Sequence, residues 1–95
     1  MRDDVRYEVR GSAAWLTLDR EERRNALGPA GLDLLLGHVD RAEADPAVRV
    51  ICLTGAGREV FCSGADLAAA LGGGEAAALP ARYARLLQCL RASAK

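Results

Sequence analysis

One segment limits the folds open to this chain more than any other. Residues 48–54 read VRVICLT, and after Arg49 they are apolar and rich in β-branched side chains. Such a run predicts a strand buried on both faces, in the centre of a sheet. The residues before it, 30–43, place Leu32, Leu35, Leu36, Val39 and Ala42 on one helical stripe. Because a helix leads into the buried strand, we expect a crossover connection and a parallel strand pair, which is an α/β fold.

Two more strands are predicted before this helix. Residues 5–10 alternate apolar and polar side chains, and residues 14–18 form a second apolar run. The intervening Gly11-Ser12 pair is typical of the turn in an antiparallel hairpin. Residues 19–25 are too charged for a buried element, so they predict a surface loop.

The helix boundaries are marked by proline, glycine and a change of periodicity. Gly28-Pro29 opens the first helix and Asp45-Pro46 ends it. An alanine-rich second helix is expected over residues 66–71, and the three glycines at 72–74 stop it. A last helix is expected over residues 79–92.

Length and charge exclude several classes of protein. Ninety-five residues make one small domain, and the 13 basic and 13 acidic residues cancel. That balance gives no basic surface for nucleic acid. No apolar stretch is long enough to cross a membrane, and acids near the start argue against a secretory signal. Three cysteines at unrelated spacings predict free thiols in a reducing compartment, so we expect a cytoplasmic protein.

The segment with the most chemical content follows the buried strand. Ser63 and Asp66 have the spacing of a capping box, which places Ser63 at a helix N-cap. The N–H groups of Gly64, Ala65 and Asp66 would then lack helical partners and could stabilise a negative charge. The alternative is an ordinary capped helix that binds no ligand.

Two motifs make the chain similar to a known family. Residues 54–67 read TGAGREVFCSGADL, which resembles T-G-x-G-x-x-x-F-C/S-x-G-A-D-L/I of the enoyl-CoA hydratase/isomerase (crotonase) family. Residues 18–27 read LDREERRNAL and resemble its L-N/D-R-P-x-x-x-N-A-L, with Glu21 in place of the usual proline. The likeness extends over residues 9–95.

The resemblance implies a fold and an activity. The chain would be an N-terminal, incomplete portion (residues 1–95) of a crotonase-like ββα spiral, an α/β fold with a small sheet flanked by helices. Family members hold the oxygen of an acyl-CoA thioester between two backbone N–H donors and so stabilise an enolate. The first donor maps onto Ala65, and the positions that line the CoA site map onto Arg24, Ala26, Ser63, Gly64, Asp66, Leu67 and Ala68. The CoA thioester is the substrate, and neither a metal nor another cofactor is implied. The partners are further copies of the chain, in a homotrimer or hexamer.

Some parts of the family pattern do not match. The glycine-rich motif of the second donor and the acid/base glutamates of hydratases are not found, and the glycines at 72–74 are interpreted as a flexible stop. Some members have a lysine where this chain has Ala68. The 95 residues alone are therefore expected to be inactive. Two hypotheses stay open: part of an acyl-CoA lyase or isomerase of fatty acid metabolism, or a non-catalytic crotonase-like module that binds a partner or a CoA ester.

Other reactive side chains receive structural interpretations. His38 lies off the apolar stripe of its helix and is expected on the surface. Cys62 precedes the predicted helix start, where a thiol can become reactive, but small-residue packing is the simpler role. Cys52 and Cys89 are expected in or near the core.

The remaining features are aromatic residues, arginines and glycines. Trp15 and Phe61 are expected to anchor the core. Arg20, Arg23 and Arg24 form either a solvated loop or a site for CoA phosphates. The glycine loop is not a dinucleotide turn, because Val60 stands where the third glycine should be.

Overall fold

The computed structural model describes residues 4–64 and 79–95, and these form a small mixed sheet with two helices. In chain order the elements are β1 (Val5–Arg10), β2 (Ala13–Leu18), a short 3-10 turn (Glu21–Arg23), α1 (Pro29–Ala44), β3 (Val50–Gly55) and α2 (Leu79–Ala92). The α/β class and the order of these elements are confirmed. The helix expected over residues 66–71 and the glycines at 72–74 lie outside the described residues.

The sheet has the order β1-β2-β3. β1 pairs antiparallel with β2, with Val5 opposite Leu18, and β2 pairs parallel with β3, with Leu18 opposite Gly55. The predicted hairpin and crossover are both confirmed. The central position predicted for β3 is wrong within the described part of the chain, where β2 is central and β3 is an edge with mostly half-buried residues. An apolar sequence predicts that the side chains of a strand are shielded from water. It does not predict whether one or two strands lie beside it.

The core lies between one face of the sheet and α1. Leu16 of β2 and Leu32 and Val39 of α1 are fully buried, as the helical stripe predicts. Pro29 sits in the first turn of α1, where its missing N–H costs no hydrogen bond. At the other end, the Lys95 ammonium donates to the carbonyl oxygens of Ala42 (2.9 Å) and Asp45 (2.8 Å), where a cation is favoured by the helix dipole.

Helix α2 packs against α1 and closes the same core. Leu79 and Leu86 are its buried residues, and the Arg82 guanidinium pairs with Asp33 of α1 at 3.0 Å. The apolar face of α2 is thereby turned toward α1 and the sheet, which extends the hydrophobic cluster beyond the first helix.

Several single-residue predictions about this core need correction. His38 is half-buried, not on the surface: its ring lies 5.3 Å from that of Tyr7, and its Nε2 is 3.2 Å from the Val5 carbonyl oxygen. Strand β1 covers this flank of α1, so the buried arc is wider than the apolar stripe. Phe61 is half exposed instead of anchoring the core, and Trp15 is half-buried with the Arg10 guanidinium 5.2 Å above its ring.

The three cysteines are free, as predicted, and all are half-buried. Cys62 and Cys89 pack against the buried core cluster, while Cys52 lies on the other face of the sheet, opposite Trp15. The near-core position is therefore confirmed for Cys89 and wrong for Cys52, while Cys62 takes the packing role expected of it.

Candidate functional site

The two sequence motifs meet at one edge of the sheet. Strands β2 and β3 are parallel and end at the paired residues Leu18 and Gly55. The loops that follow them therefore leave the sheet side by side, at the carboxyl ends of the strands. The first link between the loops is immediate, since the Ala56 N–H donates to the Leu18 carbonyl oxygen at 2.7 Å. The two loops, residues 19–28 and 56–64, are therefore joined, and we call them together the loop junction.

Backbone hydrogen bonds bring four predicted site residues together in this junction. The Ser63 N–H donates to the Arg24 carbonyl oxygen (3.0 Å), and the Leu27 N–H donates to the Gly64 carbonyl oxygen (2.9 Å). Ala26 lies between these two contacts and is buried. Residues nearly 40 positions apart in the chain are thus neighbours, as the matched motifs require.

The junction is held by Asn25, whose importance the sequence reasoning missed. Asn25 is 1% exposed and, among residues 4–64 and 79–95, is the one polar or charged residue that is buried as a whole. Its Nδ2 donates to the carbonyl oxygens of Ala56 (3.1 Å) and Val60 (3.0 Å), and its Oδ1 accepts from the Arg20 N–H (2.9 Å). The loop predicted to be wholly on the surface therefore contains a buried residue. The available signal was a lone uncharged amide next to Ala26-Leu27 at the end of a charged run.

Two glycines let the loops approach so closely. A side-chain carbon on Gly55 would contact the Phe61 carbonyl oxygen and lie 2.9 Å from both Phe61 Cα and Asn25 Nδ2. Gly57 has a φ of +85°, in the left-handed region, and the Glu21 carboxylate lies against it. The first glycine is needed for space and the second for backbone conformation.

Charged side chains surround a cavity of about 200 Å³ at the junction. It is lined by Glu21, Arg24, Ala56, Gly57, Arg58, Glu59 and Val60. In the part of the chain that the structure describes, its two guanidinium and two carboxylate groups form no ion pair with one another. Arg20 instead turns toward Asp4, at 3.6 Å. The three arginines of the loop therefore differ, and Arg24 is the one that lines the cavity.

A second, apolar cavity of about 260 Å³ lies between the junction, the sheet and α2. Phe61, Cys62, Leu53 and Tyr83 are among its lining residues. The Tyr83 hydroxyl is buried without a hydrogen-bond partner among residues 4–64 and 79–95. Burial, with a smaller contribution from Cys62, raises the pKa of this phenol. Cys62 accepts a weak hydrogen bond from the Gly64 N–H at 3.4 Å, so its sulfur has a structural contact.

Four predicted site residues cannot be placed. Ala65, Asp66, Leu67 and Ala68 lie outside the described residues, and with them the Asp66 partner of the predicted capping box. Among residues 4–64 and 79–95, no group of histidine, cysteine and carboxylate side chains could hold a metal ion. The same residues contain no helix long and apolar enough to span a membrane.

Comparison with known proteins decides the family. The model of the enoyl-CoA hydratase/isomerase family matches residues 8–95. The chain belongs to this family. The match includes both motifs and nearly the whole sequence, and it confirms the resemblance seen in residues 18–27 and 54–67.

Individual members of the family agree with this assignment. The chain is 41% identical over 63 residues to the (E)-benzylidenesuccinyl-CoA hydratase of Thauera aromatica, covering 66% of the chain and 25% of that enzyme. It is 42% identical over 72 residues to a probable enoyl-CoA hydratase of Mycobacterium tuberculosis, covering 76% and 27%. The chain thus spans about a quarter of the length of these curated relatives.

Solved structures show that the fold is that of the family. A carnitinyl-CoA hydratase from Mycobacterium avium superposes with a TM-score of 0.73 at 38% identity, over 77% of this chain and 28% of that one. An enoyl-CoA hydratase/isomerase from Xanthobacter autotrophicus gives 0.70 at 38% identity, over 76% and 26%. The expected crotonase fold is confirmed for the N-terminal portion that the chain represents.

Proposed function

We propose that this chain, residues 1–95, is the part of a crotonase-like acyl-CoA enzyme that binds the CoA thioester and supplies one of two N–H donors to its carbonyl oxygen. The observation that carries the proposal is the pairing of Arg24 and Leu27 with Ser63 and Gly64 beside the charged cavity. In the family motif, the N–H donor belongs to the residue after Gly64, which is Ala65.

The charged cavity fits the phosphate-bearing end of CoA. Arg24 and Arg58 present guanidinium groups that make no ion pair within the described residues, and guanidinium forks match phosphate oxygens. The carboxylates of Glu21 and Glu59 line the same cavity and repel anions. A phosphate would therefore bind only where it lies against a guanidinium group. Arg24 and Ala26, with Ser63–Gly64 and the following residues 66–68, would form the substrate-binding surface.

The chemistry follows from where negative charge appears. When a proton leaves the carbon next to the thioester, charge moves onto the carbonyl oxygen. A donor already aimed at that oxygen stabilises the enolate more than the substrate, which lowers the barrier. The family motifs that carry the second N–H donor and the proton-transferring glutamates of hydratases have no match in these 95 residues. General acid–base groups contribute about 10²–10⁴-fold, so we expect binding but no hydration from these 95 residues alone.

The same family likeness supports three broader proposals. We propose a role in acyl-CoA metabolism, as a lyase or an isomerase, without a metal or a further cofactor. We also propose a cytoplasmic location, consistent with three free cysteines, and assembly as a homotrimer or hexamer.

A pair of ligands and a pair of variants test the proposal. The ligands are an acyl-CoA thioester and the matching thioether, which keeps every CoA contact and lacks the carbonyl oxygen. Ala65→Pro removes the N–H, and Ala65→Gly keeps it. Calorimetric titration should show that Ala65→Pro binds the thioester about two- to tenfold more weakly and the thioether unchanged, since one net hydrogen bond is lost.

Ala65→Gly should bind both ligands as the parent does. If the parent binds neither CoA ligand, the proposed function is refuted and the alternative of a non-catalytic module is favoured. If Ala65→Pro keeps the parental preference for the thioester, Ala65 is not the donor.

A further inference from the structure

The hydrogen bonds of Asn25 form a closed set. An asparagine amide has two N–H donors and one carbonyl oxygen, and in Asn25 both donors and the oxygen have partners. The partners are backbone atoms of Arg20, Ala56 and Val60. The Asn25 N–H adds a fourth bond, to the Arg20 carbonyl oxygen at 2.7 Å. One side chain therefore joins the loop after β2 to both ends of the glycine loop after β3.

The backbone around Asn25 carries the same connection further. Arg24, the preceding residue, accepts the Ser63 N–H, and Leu27, two residues later, donates to Gly64. The Asn25 amide thus fixes residues 56–60 from one side, while its neighbours fix residues 63–64 from the other. Residues 56–60 and 63–64 therefore take their positions from one short segment, residues 24–27.

We propose that Asn25 is the positioning residue of this site: its amide sets the path of residues 60–64 and so holds Ser63 and Gly64 in place. The chemical consequence rests on the proposed function, in which the donor to the thioester oxygen comes directly after Gly64. Donors must be held within about 0.5 Å of the productive geometry, which explains a fully bonded buried amide in an otherwise charged loop.

The backbone conformation of Asn25 guides the choice of variants. Its φ is 58°, in the left-handed region that glycine and asparagine tolerate best. Asn25→Gly therefore keeps the backbone and removes all three side-chain bonds. Asn25→Asp keeps the acceptor for the Arg20 N–H but turns a carboxylate oxygen toward the Ala56 and Val60 carbonyls. The two variants fail in different ways, so a folding defect in one does not decide the result.

Amide hydrogen exchange tests the positioning without any ligand. We expect the Ser63 and Leu27 amides to exchange at least about tenfold faster in both variants, while the paired amides of β1 and β2 keep their parental rates. Asp45→Ala is the matched control, since Asp45 also bonds a loop N–H, that of Ala47, at 2.9 Å. Parental exchange at Ser63 and Leu27 in Asn25→Gly would overturn the proposal.

The thioester and thioether ligands then separate positioning from general support of the fold. In Asn25→Gly the preference for the thioester should disappear, while the Kd of the thioether stays within about twofold of the parent. Equal weakening of both ligands, or a retained preference despite fast exchange, would show that Asn25 is only structural. A parent that binds neither ligand would refute the proposed function, and the exchange rates would still decide whether Asn25 holds residues 63–64.

Discussion

The core and the loop junction are held together by different forces. Between the sheet and α1, side chains such as Leu16, Leu32 and Val39 are fully buried and interact only by apolar contact. In the junction, the main connection is one amide with three backbone partners, together with two glycines that allow close approach. The core is stabilised by the packing of apolar side chains, and the junction is stabilised by hydrogen bonds between particular atoms.

The two regions accept different kinds of substitution. A core tolerates exchange among apolar residues of similar size, because its contacts have no direction. The junction tolerates few changes of any size, because each donor has one acceptor and Gly55 has no space for a side-chain carbon. A site that must present an N–H at a set position needs the second kind of construction.

The largest effect on stability should come from the core. Leu16→Ala removes a fully buried side chain from the central strand and should lower the free energy of unfolding by about 2–5 kcal/mol. Denaturant titration followed by circular dichroism measures it. Leu87→Ala, at a residue 63% exposed, is the control and should cost under about 0.5 kcal/mol. Equal losses in both variants would mean that the core is elsewhere.

The junction should respond to a single added methyl group. Gly55→Ala places a carbon against Phe61 and Asn25, and we expect a loss of about 1–3 kcal/mol in the free energy of unfolding. Gly37→Ala makes the same change in α1, where no described residue would lie within 4 Å of the added carbon, and should stabilise the fold by about 0.5–1 kcal/mol. Thermal unfolding should show a lower melting temperature for Gly55→Ala and a higher one for Gly37→Ala. A Gly55→Ala variant as stable as the parent would show that the junction has room for a side-chain carbon.

Binding should distinguish two adjacent arginines of the junction. Arg24→Gln removes a guanidinium from the charged cavity and should weaken acyl-CoA binding about tenfold, while leaving an acyl-pantetheine thioester, which lacks the nucleotide, unaffected. Arg23→Gln changes an exposed neighbour that does not line the cavity and should affect neither ligand. Comparable weakening by both variants would indicate a diffuse charge effect.

The smallest effect should come from Tyr83, at the boundary between core and junction. Its buried hydroxyl has no hydrogen-bond partner in the described part of the chain, so Tyr83→Phe should raise the free energy of unfolding by up to about 1 kcal/mol at neutral pH. Burial raises the phenol pKa above the ordinary 10.0, so folding favours the protonated form. That contribution is complete below pH 10 and is lost as pH rises through the folded-state pKa.

Stability measured from pH 8 to 12 checks this sign. The parent should lose stability above pH 10 more steeply than Tyr83→Phe. Equal slopes would show that the phenol is solvated and that the apolar cavity does not enclose it.

Residue periodicity was enough to predict most of the fold. Alternation in residues 5–10 and the apolar stripe of α1 come from burial on one face, which a sequence displays directly. The edge position of β3 and the exposure of Phe61 depend on which segments lie beside them, and no local pattern contains that information.

The candidate site was predictable only through its motifs. The meeting of Arg24 with Ser63 follows from parallel strands ending together, which the crossover predicts. The role of Asn25 depends on carbonyl groups more than 30 residues away, so the lone amide at the end of a charged run was a signal that could not identify its partners. Ala65 remains a prediction, since it lies outside the described residues.

We propose above that the loop junction binds acyl-CoA. A nuclear magnetic resonance titration of the ¹⁵N-labelled chain with an acyl-CoA thioester tests this most directly. We expect the largest amide shifts at residues 24–27 and 63–68, and no shifts for the β1–β2 amides or the end of α1. Saturable shifts confined to other surfaces, or no shifts at millimolar ligand, would contradict the proposal.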